Sequence, residues 1–174
     1  MVKIAFDIGG VIFTDGDFEI ADESMKSVLL MTQKYGRHNI YILSKAGPKY
    51  QDLIMEKLLI ADFFHVTGLP IENVHFVLEY EEKQIVCSRL GINFLIDDHI
   101  KIVRYIITAP QCSTIPIWFG KRKNTNITVL KNSLTESISS NNAHLQQRIK
   151  QVCPCHSWKH LRKIFQKVKQ ERIL

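Results

Sequence analysis

Val2-Lys3-Ile4-Ala5-Phe6-Asp7-Ile8-Gly9-Gly10 reads as a buried strand that stops at a carboxylate and a tight glycine turn. Two later runs repeat the pattern: Ile40-Tyr41-Ile42-Leu43 ends at Ser44, and Ile92-Asn93-Phe94-Leu95-Ile96 ends at Asp97-Asp98. Strands that are apolar on both faces belong in a parallel sheet covered by helices on each side. The intervals supply those helices. Met25, Val28, Leu29 and Thr32 recur at helical spacing within Asp22 to Tyr35, which Gly36 closes. Leu53, Ile54, Leu58 and Leu59 do the same within Tyr50 to Ile60, and Glu81 to Leu90 precedes Gly91. Asn73 to Val77 and Thr114 to Phe119 are further short strands. The alternation predicts an α/β fold of Rossmann-like type, a central parallel sheet flanked by helices.

The 174 residues suit one domain, and 45% apolar with 23% charged residues is a globular composition. No apolar run approaches the ~20 residues needed to cross a bilayer, and no basic amino-terminal region leads into an apolar stretch. Neither secretion nor membrane spanning is expected. The four cysteines follow no disulfide spacing, so a reducing, cytoplasmic setting is expected. Cys153-Pro-Cys155-His156, with His160 beyond, offers soft metal ligands but lacks a second pair at finger-like spacing, and reads as a turn before a helix.

The net charge of +6 is unevenly spread. Residues 148–174 hold eight of the 23 Lys and Arg against one acid, Glu171, so the other 147 residues carry 15 bases against 16 acids. Expected boundaries are a single domain over 1–174, with a core of about 1–123, a polar Asn/Ser/Thr-rich insertion at about 124–142 containing one short strand, Ile127 to Leu130, and a basic amphipathic helix at about 157–172 capped by Ser157. Trp158, Leu161, Ile164, Phe165 and Val168 form that helix's apolar stripe, so its lysines read as a solvated face. The alternative is a nucleic-acid surface, which would want an aromatic platform beside the charge.

In open parallel sheets ligands gather at the carboxyl ends of the strands, where strand order reverses. Asp7, Ser44 and Asp97-Asp98 are delivered to that edge, and Lys83 lies one helix upstream of the last pair. Carboxylates from two strands can share a hard cation such as Mg²⁺. A serine hydroxyl can donate to a phosphate oxygen, and a lysine can neutralise charge on a transferring phosphoryl group.

These residues resemble, in order, the four motifs of the haloacid dehalogenase (HAD) superfamily of phosphotransferases: Phe6-Asp7-Ile8-Gly9-Gly10-Val11-Ile12, Ile42-Leu43-Ser44-Lys45, Lys83, and Phe94-Leu95-Ile96-Asp97-Asp98. The likeness spans about residues 2–120, and Ser157-Trp158-Lys159 is similar to a closing element of small family members. The resemblance implies a Mg²⁺-dependent phosphohydrolase in which Asp7 forms an aspartyl-phosphate. It implies Mg²⁺ held by Asp7, the Gly9 carbonyl and Asp97 or Asp98, with phosphate held by Ser44 and the Gly9-Gly10 amides. Lys83 would bridge Asp7 and phosphate. Lys45 is a further phosphate-binding candidate, against the alternative that it faces solvent. Asp97-Asp98 could instead be a helix N-cap pair, and His99 a packed side chain or a substitute base.

The chain departs from the family at Gly9, where the resemblance leads one to expect an aspartate acting as general acid and base. Such help is worth about 10² to 10⁴ in rate. The departure implies a slow enzyme, a substitute such as Asp15 or Asp17, or preference for aryl or acyl phosphates whose leaving groups need no proton. The short intervals between motifs leave little or no room for a cap, which implies an open site and a bulky or polyanionic phosphorylated substrate that Lys121-Arg122-Lys123 could help to recruit. The competing expectation is a catalytically impaired HAD-fold protein that binds a phosphorylated ligand or partner. A nucleic-acid-associated factor is the third.

Overall fold

Strand β1 (Ile4–Phe6) is buried along its whole length. Successive side chains of a strand point to opposite faces. Ile4 and Phe6 accordingly enter one apolar layer with Ile40, Ile42 and Ile96, while Ala5 enters another with Tyr41, Leu43 and Leu95. A computed structural model describes residues 1–14, 18–120 and 143–168, together with Thr128 and Asn132.

The other strands are β2 (Ile40–Lys45), β3 (Val74–Val77), β4 (Phe94–Asp97), β5 (Ile115–Phe119) and β6 (Cys153–Cys155). All pair in parallel, in the order β3-β2-β1-β4-β5-β6. The helices are α1 (Asp22–Tyr35), α2 (Pro48–Ile60), α3 (Phe63–Thr67), α4 (Glu82–Leu90), α5 (Ile100–Thr108), α6 (Ala143–Gln151) and α7 (Trp158–Lys167). One face of the sheet is covered through Val28 and Met31 of α1, Ile54 and Leu58 of α2, and Leu161 and Phe165 of α7. The opposite face is covered through Val86 of α4, Ile102 of α5 and Ile149 of α6. This is the expected Rossmann-like α/β architecture. Its strand order reverses between β1 and β4, which opens a crevice at their carboxyl ends.

Several expectations are corrected. Cys153-Pro-Cys155 is an edge strand, not a turn: Ile117, Trp118 and Phe119 of β5 pair with it. Proline is tolerated there because an edge strand has one unpaired side. No metal site forms at this cluster among the described residues, and the Cys155 thiol donates to the Ser157 carbonyl at 3.3 Å. Leu59 is exposed rather than core. Helices α3 and α6 were not anticipated, because five residues are too few for a periodicity and α6 carries only two well-buried apolar positions, Leu145 and Ile149. Of the expected strand Ile127 to Leu130 only Thr128 is described, and it is helical. Lys121-Arg122-Lys123, nearly all of the 124–142 insertion, and residues 169–172 of the basic helix lie outside the described residues.

The basic carboxyl-terminal segment owes part of its charge to packing. Trp158 is 6% exposed and sits against Phe6 and Phe119 at 5.9 and 5.2 Å, so it offers no stacking platform. Arg162 pairs with Glu23 at 2.5 Å and donates to Ser27 at 2.8 Å on α1. Arg148 is buried and donates to the carbonyls of Ile106 and Thr114, both at 3.0 Å, closing the end of α5. Ser157 caps α7 by accepting from the His160 amide, as expected. At the other end of that helix Lys34 and the Tyr35 hydroxyl donate to the Phe165 carbonyl at 2.5 and 3.0 Å, satisfying an acceptor the helix itself cannot. Tyr35→Phe keeps the edge-on ring contact with Phe165 and removes that donor, so urea unfolding should register a loss of about 1 kcal/mol. No helix of the described residues is long and apolar enough to cross a membrane.

Candidate functional site

Asp7 follows β1 directly, and its Oδ1 accepts from the Ile8 amide at 2.8 Å. The chain then turns sharply. Gly10 takes φ 67°, a left-handed conformation that glycine adopts without steric cost, and the Phe13 amide reaches back to the Ile8 carbonyl at 2.8 Å. From there Phe13 and Ile20 pair in antiparallel fashion, with Thr14 donating to the Glu19 carbonyl, so a short arm carries Phe18 beside the crevice.

Ser44 is the penultimate residue of β2, 4% exposed, and its hydroxyl has no partner among the described residues. It lines the crevice together with Lys45 and Gly47. Asp97 ends β4 and is fully buried, its Oδ1 accepting from the His99 amide at 2.9 Å. Asp98 follows and lines the same crevice. The alternative reading of Asp97-Asp98 as an N-cap pair does not hold: the N-cap of α5 is His99, whose Nδ1 accepts from the Lys101 amide at 3.2 Å.

Lys83 is the residue whose position departs most from a surface reading. Although it lies in the first turn of α4, it is 1% exposed. Its Nζ stands 3.0 Å from Asp7 Oδ1 and 2.7 Å from Asp97 Oδ2. The sequence carries a faint signal for this: Lys83, Val86 and Cys87 are the buried positions of α4, at offsets 0, 3 and 4 on one face. Burial alone would lower the pKa of Lys83, but the Asp7 and Asp97 charges outweigh that and raise it. Burial raises the Asp97 carboxyl, opposed by Lys83 and reinforced by Asp7. Lys83 thus links two strand-end carboxylates from β1 and β4 in a site shielded from water, where a lone charge of either sign would be strongly destabilising.

Asp7, Asp97 and Asp98 each offer an oxygen within 4.8 Å of the others. Mg²⁺ takes oxygen ligands and is commonly held by one or two carboxylates, and these three carboxylates offer it an all-oxygen set at one place in the crevice. The residues therefore fit Mg²⁺ by donor type and by their grouping.

The crevice is an open cavity of about 680 Å³. Gly9 and Gly10 line it, as do four aromatic residues absent from the sequence-based site: Phe13, Phe18, Tyr50 and Tyr80. For Phe18 a signal exists, since it is a lone aromatic between acidic neighbours in Asp15-Gly16-Asp17-Phe18-Glu19. Lys45 is exposed, with Nζ 4.7 Å from the Tyr80 ring centre. The His99 ring lies 4.8 Å from Tyr80, and burial, helped by Lys101, lowers its pKa. Because Nδ1 accepts a hydrogen bond, the neutral ring carries its proton on Nε2 and has no lone pair to spare as a base. Asp15 and Asp17 lie outside the described residues. No other domain covers the crevice among the described residues, whose long helices pack on the two faces of the sheet.

Neither a family model nor a curated protein matches this chain.

Proposed function

We propose that this chain is a Mg²⁺-dependent phosphohydrolase of HAD type that works through an aspartyl-phosphate on Asp7. The observation that carries the reading is the buried Lys83 joining Asp7 to Asp97 beside Asp98, at the crevice where the strand order reverses. Asp7 Oδ1 is held by the Ile8 amide and Lys83, which leaves Oδ2 to attack phosphorus. The new P–Oδ2 bond forms as the ester P–O bond breaks, its electron pair departing with the leaving oxygen. Water then attacks phosphorus, the P–Oδ2 bond breaks, and phosphate and the carboxylate are released. Ser44, buried and without a hydrogen-bond partner among the described residues, donates to a phosphoryl oxygen. Lys83 neutralises charge that develops on that group. Gly47 and His99, the N-caps of α2 and α5, bring two positive helix ends to the same crevice. Asp7, Asp97 and Asp98 would hold Mg²⁺, which supplies further charge neutralisation for the phosphoryl oxygens.

Gly9 favours a second reading, a HAD-like protein that binds a phosphorylated ligand without turning it over. Beryllium fluoride, a phosphoryl mimic that bonds to carboxylate oxygen, separates the two. In the presence of Mg²⁺ it should raise the Tm by about 5–10 °C, the shift for a ligand near 100 times its Kd in a domain of this size. The shift should vanish in Asp7→Asn and in EDTA. A wild-type protein whose Tm ignores both Mg²⁺ and beryllium fluoride would sink the enzymatic reading.

A further inference from the structure

The crevice wall contains an aromatic strip that the phosphoryl chemistry leaves unused. Phe13 is buried, Phe18 meets it edge-on at 6.0 Å, and Tyr50 lies nearly parallel to Phe18 at 6.4 Å and 14°. Exposure rises along the strip, to 37% at Phe18 and 57% at Tyr50. The strip therefore runs from the core outward and leaves apolar ring area in contact with water inside a concavity. Tyr80 lines the same crevice, its ring centre 4.7 Å from the Lys45 ammonium and 4.8 Å from the His99 ring. Aromatic groups grouped beside a few convergent polar atoms are the usual make-up of a ligand subsite.

A second, independent observation concerns the leaving oxygen. Position 9 holds no carboxylate, and His99 Nδ1 already accepts from the Lys101 amide. A leaving oxygen able to carry its own negative charge suits a crevice with no carboxylate at position 9.

Resting on the phosphohydrolase reading, we propose that the site takes phosphate esters of phenols and that Phe18 and Tyr50 form the subsite for the leaving group's ring. Asp7 attacks phosphorus and the P–O(aryl) bond breaks. The electron pair remains on the phenolate oxygen, delocalised into the ring, and the proton is gained later from solvent. The strip binds the flat ring by offset or edge contacts, a preference that a saturated ring of similar size does not share.

Two probes isolate the ring. With Mg²⁺ present, phenylphosphonate, which cannot be hydrolysed, should bind about fivefold to tenfold more tightly than cyclohexylphosphonate. In Phe18→Ala/Tyr50→Ala that preference should fall to about twofold or less, and in Tyr50→Phe it should persist. Phenyl phosphate should exceed hexafluoroisopropyl phosphate, an alkyl ester of comparably acidic alcohol, in kcat/KM. That margin should shrink in the double variant. Equal binding of the two phosphonates, no binding of either, a preference that survives in the double variant, or tighter binding of AMP than of phenylphosphonate each overturns the proposal. Ring-dependent binding with no turnover of any ester would count against the enzymatic reading alone. Turnover of both matched esters with equal kcat/KM would count against the subsite alone. A phosphotyrosyl peptide outperforming phenyl phosphate would identify a tyrosine side chain as the source of the phenol, and the reverse order a free aryl ester.

Discussion

Gly9→Asp should raise kcat on an alkyl phosphate by about 10² to 10⁴, the usual worth of a positioned general acid, and should raise it far less on an aryl phosphate. The backbone is ready for the side chain. Gly9 has φ −62° and ψ 130°, ordinary values for any residue, and a Cβ built there meets nothing within 4 Å. The position is exposed and lines the crevice two residues beyond Asp7. The gain concentrates on alkyl esters because a poor leaving oxygen needs the proton as the P–O bond breaks, whereas a phenolate does not. Steady-state rates on one alkyl and one aryl ester, in wild type and variant, test this. An unchanged alkyl-to-aryl ratio would show that position 9 does not face the leaving group.

Lys83→Met should cost about 3–5 kcal/mol of stability in EDTA, the range for removing one partner of a buried ion pair. Methionine fills much of the same volume, so the loss reports charge rather than a cavity. Without the ammonium, Asp7 and Asp97 face one another in a site from which water is largely excluded. Two results should accompany the loss. Mg²⁺ should return part of it, since a cation among the same carboxylates replaces the missing charge. The deficit should also shrink as pH falls. An acid whose pKa is raised in the folded state holds its proton more tightly there than in the unfolded chain, so acidification favours the folded form of the variant. Urea unfolding with EDTA and with Mg²⁺ checks both. A loss below about 1 kcal/mol, indifferent to Mg²⁺, would mean that Lys83 contributes packing and no charge balance.

Legibility in the sequence followed from how each feature is encoded. Asp7, Ser44 and Asp97 were legible because each ends a continuous apolar run, and such runs have few solutions other than a strand covered on both faces. The docking of α7 was legible for the same kind of reason, Trp158, Leu161 and Phe165 recurring at helical spacing. β6 was not, since three residues with a central proline carry no strand signal and pair only because β5 presents an open edge. Lys83 was found by motif order, while its burial was hidden: lysine on a short helix is ordinarily solvated. The crevice aromatics were hidden more completely. Phe13, Phe18, Tyr50 and Tyr80 come from three separate stretches of chain with no shared spacing.

By itself, then, the sequence determined which residues stand at strand ends and which helical faces are apolar, because periodicity and chain reversal are local properties. Only the tertiary structure decided which strand ends are neighbours. Placing β1 between β2 and β4 sets Asp7 beside Asp97, turns Lys83 inward between them, and gathers the aromatic strip at one mouth. These are contacts between residues as many as 90 positions apart, and strand order, which no local pattern specifies, creates them.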